Sequence, residues 1–214
     1  MVSSIERFQN SQWEKLKILT FPKKTILGLL NEGSVLDIGC GDGMLLENLK
    51  NKGISGRGID ISSKAIKICK ERGLDCAQKD ITERLPFEND SFDSVILADV
   101  LEHLFQPLEV LFEAHRVCKN NIFVSVPNFV SLPARLQVLF GKVPENSTPR
   151  DGHVYWITYG GILNLLSRSS FEVEDVVSNT FWQYIPVVAL FIRILKNIFP
   201  SIFALSFVIK AKKI

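Results

Sequence analysis

The sequence predicts an α/β protein: a three-layer α/β/α sandwich in which helices cover both faces of a mostly parallel seven-stranded sheet whose last strand is antiparallel. Three observations carry this. Short apolar runs alternate with helical stretches from Val35 to Val126. A glycine-rich turn joins the first run to the helix after it. Beyond Pro127 the alternation stops, and two longer strand-like segments lie near the C-terminus.

Residues 1–31 read as a helical lead-in, with Trp13, Leu16 and Leu19 at helical spacing and Pro22 suited to the first turn of a second helix. Strands are expected at 35–38, 57–60, 75–78, 92–98, 122–126, 171–177 and 205–212. Helices are expected at 44–52, 62–72, 107–119 and 158–168, the last capped by Thr158. Residues 128–157, with Pro133, Pro144 and Pro149, read as irregular. Residues 181–203 are an apolar stretch longer than a hairpin connection needs. Both read as insertions in one domain spanning 1–214.

Composition narrows the function classes. Hydrophobic residues make up 46% and charged residues 22%, a globular rather than a disordered balance. A net charge of +2 gives no electrostatic footprint for nucleic acid. The N-terminus carries Glu6 and Arg7 in place of the apolar core of a signal peptide. Pro186, Arg193, Lys196, Asn197 and Pro200 interrupt the apolar run 185–209, and a spanning helix needs ~20 nearly uninterrupted apolar residues. A cytoplasmic protein is expected, with Cys40, Cys69, Cys76 and Cys118 as reduced, mostly buried thiols.

The segment VLDIGCGDG, residues 35–43, is the strongest signal. A strand that turns into a helix through glycines lets a ligand approach bare backbone, and the helix N-terminus suits a carboxylate or phosphate. The spacing is G-x-G-x-G at Gly39, Gly41 and Gly43, not the G-x-G-x-x-G of dinucleotide sites, which argues against a nicotinamide oxidoreductase. Asp37 precedes the first glycine. Asp60 ends the next strand, where a carboxylate can bind both ribose hydroxyls. Asp80 is expected to end the third.

VLDIGCGDG, GRGIDIS and DITERLPFENDSFDSVILADVLEHL together closely resemble the class I S-adenosylmethionine (SAM)-dependent methyltransferases, over about residues 33–178. The resemblance implies a Rossmann-like fold, SAM as cofactor and S-adenosylhomocysteine as product. It implies that Gly39, Cys40, Gly41 and Gly43 hold the methionyl part, with Asp37 near its amino group. It further implies that Asp60 holds the ribose, that Ile61 packs on adenine, that Asp80 and the backbone of Ile81 read the adenine edge, and that Ala98 borders the cofactor.

Acceptor-side residues should come after the fourth and fifth strands, at the carboxyl edge of the sheet. The fourth leads into ADVLEHL, not the Asn/Asp-Pro-Pro-Tyr pattern that the resemblance would require for amino-group methylation of adenine or glutamine. Asp99, Glu102 and His103 fall at i, i+3 and i+4 and share one face if the segment is helical. His153 can fold over the same mouth. Three alternatives stand: His103 or His153, with Glu102, as acid–base machinery; Asp99, Glu102, His103 and His153 as ligands of a divalent cation; or ordinary backbone-bonded and solvated side chains. The cation is suggested by a resemblance of E-x-x-E-H with a later His to small-RNA 3′-terminal and quinone-biosynthesis methyltransferases; here Asp99 occupies the first position.

Residues 124–143, VSVPNFVSLPARLQVLFGKV, resemble the methionine-biosynthesis protein MetW, from which the Glu102–His103 pair departs. The segment is expected to form a lid with Phe129, Arg135 and Tyr155 as candidate liners. Residues 181–203 suit a second lid helix, a dimer interface or a peripheral membrane contact, with Arg193 and Lys196 on the polar side. Lys210, Lys212 and Lys213 suit anionic lipid or a blunted edge strand. The expected function is methyl transfer from SAM to an oxygen of a small-molecule or lipid-linked acceptor. The alternative is a non-catalytic, regulatory SAM-binding partner protein of MetW type.

Overall fold

The computed structural model describes residue 6 and residues 18–144, 152–181 and 186–214. Trp13, Leu16 and Pro149 lie outside these. Helix α1 (Phe21–Leu29) opens with Pro22, whose missing N–H costs nothing in a first turn. Then come β1 (Ser34–Ile38), α2 (Met44–Asn51), β2 (Ser55–Asp60), α3 (Ser63–Glu71) and β3 (Asp75–Gln78). A long loop leads to β4 (Phe92–Ala98), a 3₁₀ turn (Leu101–His103), α4 (Pro107–Val117) and β5 (Cys118–Pro127). Last are α5 (Leu132–Leu139), α6 (Tyr159–Arg168), β6 (Phe171–Thr180), α7 (Pro186–Ile198), the single turn α8 (Pro200–Phe203) and β7 (Ala204–Lys213).

The seven strands form one sheet in the order β3-β2-β1-β4-β5-β7-β6. Neighbours from β3 through β5 pair in parallel, and β7 runs antiparallel to both β5 and β6. The chain winds outward from β1 to β3, then returns to the other side of β1 with β4. Such a reversal of strand order opens a crevice at the carboxyl ends of the strands.

Side chains alternate across the sheet, as the pleat requires. Leu36, Val95, Leu97 and Val124 face one core with α4 and α6; Val35, Ile96 and Phe123 face the other with α1, α2 and α3. Strands buried on both faces explain why these runs read as continuously apolar rather than alternating.

The structure corrects several expectations. β5 begins at Cys118 and takes over the end of the helix expected to reach residue 119. Residues 128–157 are not wholly irregular, because α5 lies within them. β7 is an interior strand between β5 and β6, so its lysines do not blunt an edge. Lys210 instead pairs with Glu174 at 2.7 Å and Lys213 with Asp90 at 2.7 Å. Cys69 and Cys76 are joined as a disulfide with Cα atoms 6.3 Å apart, leaving Cys40 and Cys118 as thiols. The tight connection from α3 through Gly73 into β3 brings those two cysteines face to face.

Candidate functional site

The glycine turn lies against the end of β2. Gly39 and Cys40 both donate backbone N–H bonds to the Ile59 carbonyl, at 2.8 and 3.1 Å. Gly39 has φ 76°, and a Cβ there would stand 2.5 Å from Cγ2 of Val100. Gly43 has φ 77°, and a Cβ there would meet Sγ of Cys69 at 2.6 Å. Both positions therefore demand glycine twice over, by conformation and by packing. Cys40 is fully buried, and its Sγ lies 3.7 Å from the Gly41 carbonyl, within the core beneath the turn. Burial, reinforced by the charges of Asp37 and Asp60, pushes that thiol well above its ordinary pKa, so only the backbone of Cys40 is suited to touch a ligand.

Asp60 ends β2 and braces the turn. One of its oxygens accepts from Gly41 N at 2.9 Å, the other from Ser62 N at 2.8 Å. Asp80 lies two residues beyond β3, and its Oδ1 accepts from both N and Oγ1 of Thr82, capping the next turn. Ile81 packs partly buried against the core, Ile61 is half-buried just after β2, and Ala98 is buried where β4 ends.

Asp37 is the least satisfied of these groups. It is 1% exposed, and its Oδ2 has no hydrogen-bond partner among the described residues. Burial pushes its pKa to about 6, with Lys23 pulling down and Asp60 pushing up. A buried carboxylate oxygen without a donor, beside a bare-backbone turn and at a strand end, fits a ligand that brings its own ammonium group.

The side expected to take an acceptor is assembled by one loop. Val154 N and Tyr155 N both donate to the Glu102 carbonyl, at 2.9 and 3.0 Å. His103 Nδ1 lies 3.1 Å from the Gly152 carbonyl. A carbonyl only accepts, so Nδ1 carries the proton and Nε2 the lone pair of the neutral ring. This stitching sets His153 against His103, with ring centroids 4.8 Å apart, and against Phe129 at 5.4 Å. One ligand atom from each of Glu102, His103 and His153 lies within 4.8 Å of the others. Glu102 is buried, its Oε2 has no partner among the described residues, and burial with the nearby Asp99 charge pushes its carboxyl well above its ordinary pKa.

Asp99 does not join that cluster. The expected shared helical face is absent because the 3₁₀ turn begins only at Leu101 and Asp99 sits in the left-handed region with φ 57°. Its Oδ1 accepts from Ser125 Oγ at 2.6 Å, and its N–H donates to the same hydroxyl at 2.9 Å. Ser125, buried on β5 opposite Ala98, went unnoticed in the sequence because nothing marks one hydroxyl in an apolar strand.

Beyond Phe129 an open cleft of about 490 Å³ runs along the insert, lined among others by Val130, Val138, Lys142, Val143 and Trp156. Of the three candidate liners, Phe129 lines this cleft. Tyr155 packs against the core, and Arg135 is exposed with Nε bonded to the Val130 carbonyl.

The family model for the methionine biosynthesis protein MetW matches residues 22–181. The chain belongs to the MetW family. It is also 37% identical over 138 residues to a ubiquinone biosynthesis O-methyltransferase of Nitrosomonas europaea, covering 61% of this chain and 59% of that protein. To the enzyme of the same name in Dechloromonas aromatica it is 27% identical, covering 69% of this chain and 68% of the other. The chain thus spans about three fifths of the length of the first of these relatives. Among solved structures, magnesium protoporphyrin IX methyltransferase of Synechocystis with bound S-adenosylhomocysteine superposes with TM-score 0.72 at 16% identity, covering 98% of each chain. A SAM-dependent methyltransferase of Thermotoga maritima, described as a possible histamine N-methyltransferase, gives TM-score 0.67 at 17% identity over 98% of this chain and 92% of that one. The fold of this MetW-family chain is that of the class I SAM-dependent methyltransferases.

Proposed function

We propose that this MetW-family protein is a methyltransferase that moves a methyl group from SAM to an oxygen of a small-molecule or lipid-linked acceptor. The observation that carries this is the placement, at one carboxyl edge, of a glycine turn with an unsatisfied buried Asp37 and a separate cluster of Glu102, His103 and His153. The first suits an amino-acid nucleoside, the second proton transfer. The O-methyltransferase names of its relatives support oxygen as the acceptor atom.

SAM supplies a methyl group already activated on a sulfonium. The protein's own work is then alignment, exclusion of water and removal of one proton. Asp37 and the turn orient the amino-acid end, and Asp60 presents carboxylate oxygens to the ribose. As the acceptor oxygen bonds to the methyl carbon and the sulfur–carbon bond breaks, Nε2 of His103 takes the hydroxyl proton. The Gly152 carbonyl holds the His103 tautomer that leaves Nε2 basic.

The orphaned Oε2 of Glu102 favours a second version of the same site, in which Glu102, His103 and His153 hold a divalent cation. Such an ion would acidify a bound hydroxyl. Asp99 is not among its ligands.

A radiolabelled methyl-transfer assay over hydroxylated acceptors tests the proposal. His103→Ala is expected to lower turnover by roughly 10²–10⁴-fold, with SAM affinity by calorimetry unchanged. Loss of activity on chelation, restored by added cation, selects the second version. SAM binding with no transfer to any acceptor supports instead a regulatory SAM-binding protein, as MetW membership also allows.

A further inference from the structure

One short segment, from Asp99 to His103, touches both halves of the candidate site. Val100 lies against the glycine turn, since a Cβ on Gly39 would stand 2.5 Å from its Cγ2. Just beyond it, Glu102 and His103 enter the cluster with His153. The segment leaves β4 at Asp99, whose φ of 57° lies in the left-handed region. Asp and Asn reach that region more readily than other residues with side chains, but it remains costly and persists only where the surroundings hold it.

Ser125, on the neighbouring strand, does the holding. Its hydroxyl donates to Asp99 Oδ1 at 2.6 Å and accepts from the Asp99 N–H at 2.9 Å; the same N–H lies 3.2 Å from the Ser125 carbonyl. Ser125 is fully buried and pairs with Ala98 of β4 on one side and Val208 of β7 on the other, so it is anchored in the interior of the sheet. A buried hydroxyl in an apolar strand needs partners, and Asp99 supplies both of its bonds.

The two halves of the site are unequally braced. The glycine turn has bonds of its own, from Gly39 and Cys40 to the Ile59 carbonyl and from Gly41 to Asp60. The other half depends on the segment. His103 N–H donates to the Val100 carbonyl at 3.0 Å, Leu104 N–H to the Leu101 carbonyl at 3.2 Å, and Val154 and Tyr155 both hang on the Glu102 carbonyl. A shift at Asp99 therefore moves Glu102, His103 and the loop of His153 while the turn stays in place. Group transfer is sensitive to such a shift, since a misplacement of about 1 Å can cost roughly a hundredfold in rate.

We propose that Ser125 and Asp99 form a positioning bracket that fixes the angle at which the chain leaves β4, and so sets Glu102, His103 and His153 against the cofactor turn. Asp99 acts through its hydrogen bonds and its backbone, neither as a ligand nor through its charge. The alignment role rests on reading that cluster as the acceptor side of a methyltransferase; the bracket itself is tested without an acceptor.

Amide exchange on the full chain, free of ligand, compares Ser125→Ala, Asp99→Ala and Asp99→Asn. Asn keeps a carbonyl oxygen for the Ser125 hydroxyl and tolerates the left-handed backbone, whereas Ala does neither. Ser125→Ala and Asp99→Ala are expected to speed exchange at His103, Leu104, Val154 and Tyr155 by roughly tenfold or more. Unaltered exchange in β1 and β2 shows that these variants are folded, and Asp99→Asn should exchange as the unaltered chain does. With an acceptor in hand, Ser125→Ala should lower kcat by roughly tenfold to a hundredfold while the SAM dissociation constant stays within about twofold, and Asp99→Asn should keep most of the turnover. Unchanged exchange at those amides in Ser125→Ala, or Asp99→Asn as disruptive as Asp99→Ala, overturns the bracket. Faster exchange with kcat unmoved, or SAM affinity falling in step with kcat, overturns its part in alignment. Should the unaltered chain transfer methyl to no acceptor, the methyltransferase reading falls, while the exchange result still decides the bracket.

Discussion

Asp37 keeps one oxygen, Oδ2, buried with no hydrogen-bond partner among the described residues. Its pKa of about 6 lies above the ordinary 3.8, and the group is 1% exposed. Because the folded value is the higher one, folding favours the protonated form. That contribution is complete below pH 4 and disappears as pH rises through about 6, leaving the apoprotein roughly 3 kcal/mol less stable at pH 8 than this group permits in acid. A ligand ammonium group reverses the preference. SAM affinity should therefore climb by up to about tenfold per pH unit below pH 6 and level off above it, as titration calorimetry across that range would register. Asp37→Asn is expected to abolish this dependence and to weaken SAM at neutral pH by at least about tenfold, the worth of one charge-assisted hydrogen bond. A flat pH profile in the unaltered protein would remove Asp37 from the site.

At the scale of elements, the glycine turn is where sequence and structure agree most closely, because its residues are constrained by their own backbone. Gly43→Ala must carry a side chain at φ 77° and push into Cys69 and Leu74. A loss of about 2–4 kcal/mol is expected in urea unfolding, and SAM binding should fall with it, since the first turn of α2 cannot hold its place. The acceptor side was legible only in part. The residue types of Glu102, His103 and His153 and their approach to one mouth could be read from the chain. The exclusion of Asp99 could not, since it depends on a left-handed residue and on the Ser125 hydroxyl, contacts made across strands and invisible to spacing. Periodicity does not reveal α5 either: its apolar residues match no burial pattern, for Leu136, Val138 and Leu139 face solvent. Sequence periodicity reports what a core demands, and this helix is not built for the core of its own chain.

For the whole molecule, the sheet order brings the groups of the candidate site to one end. The turn after β1, Asp60 at the end of β2 and Ala98 at the end of β4 converge because β1 and β4 are neighbours in the sheet but not in sequence. A ligand seated there touches segments from three strands and should act as a brace between the two halves of the winding. By mass action, SAM at about a hundred times its dissociation constant contributes about 2.7 kcal/mol, which for a domain of this size raises the melting temperature by roughly 5–11 °C. The distribution of that stabilisation is the sharper expectation. Amide exchange should slow chiefly at residues 39–43, 60–62 and 98–104, while β6, separated from β4 by β5 and β7, should exchange through local opening as it does without ligand. Protection spread evenly over β6 and the switch-point segments would mean that the ligand stabilises only against global unfolding and does not lie in the crevice between β1 and β4.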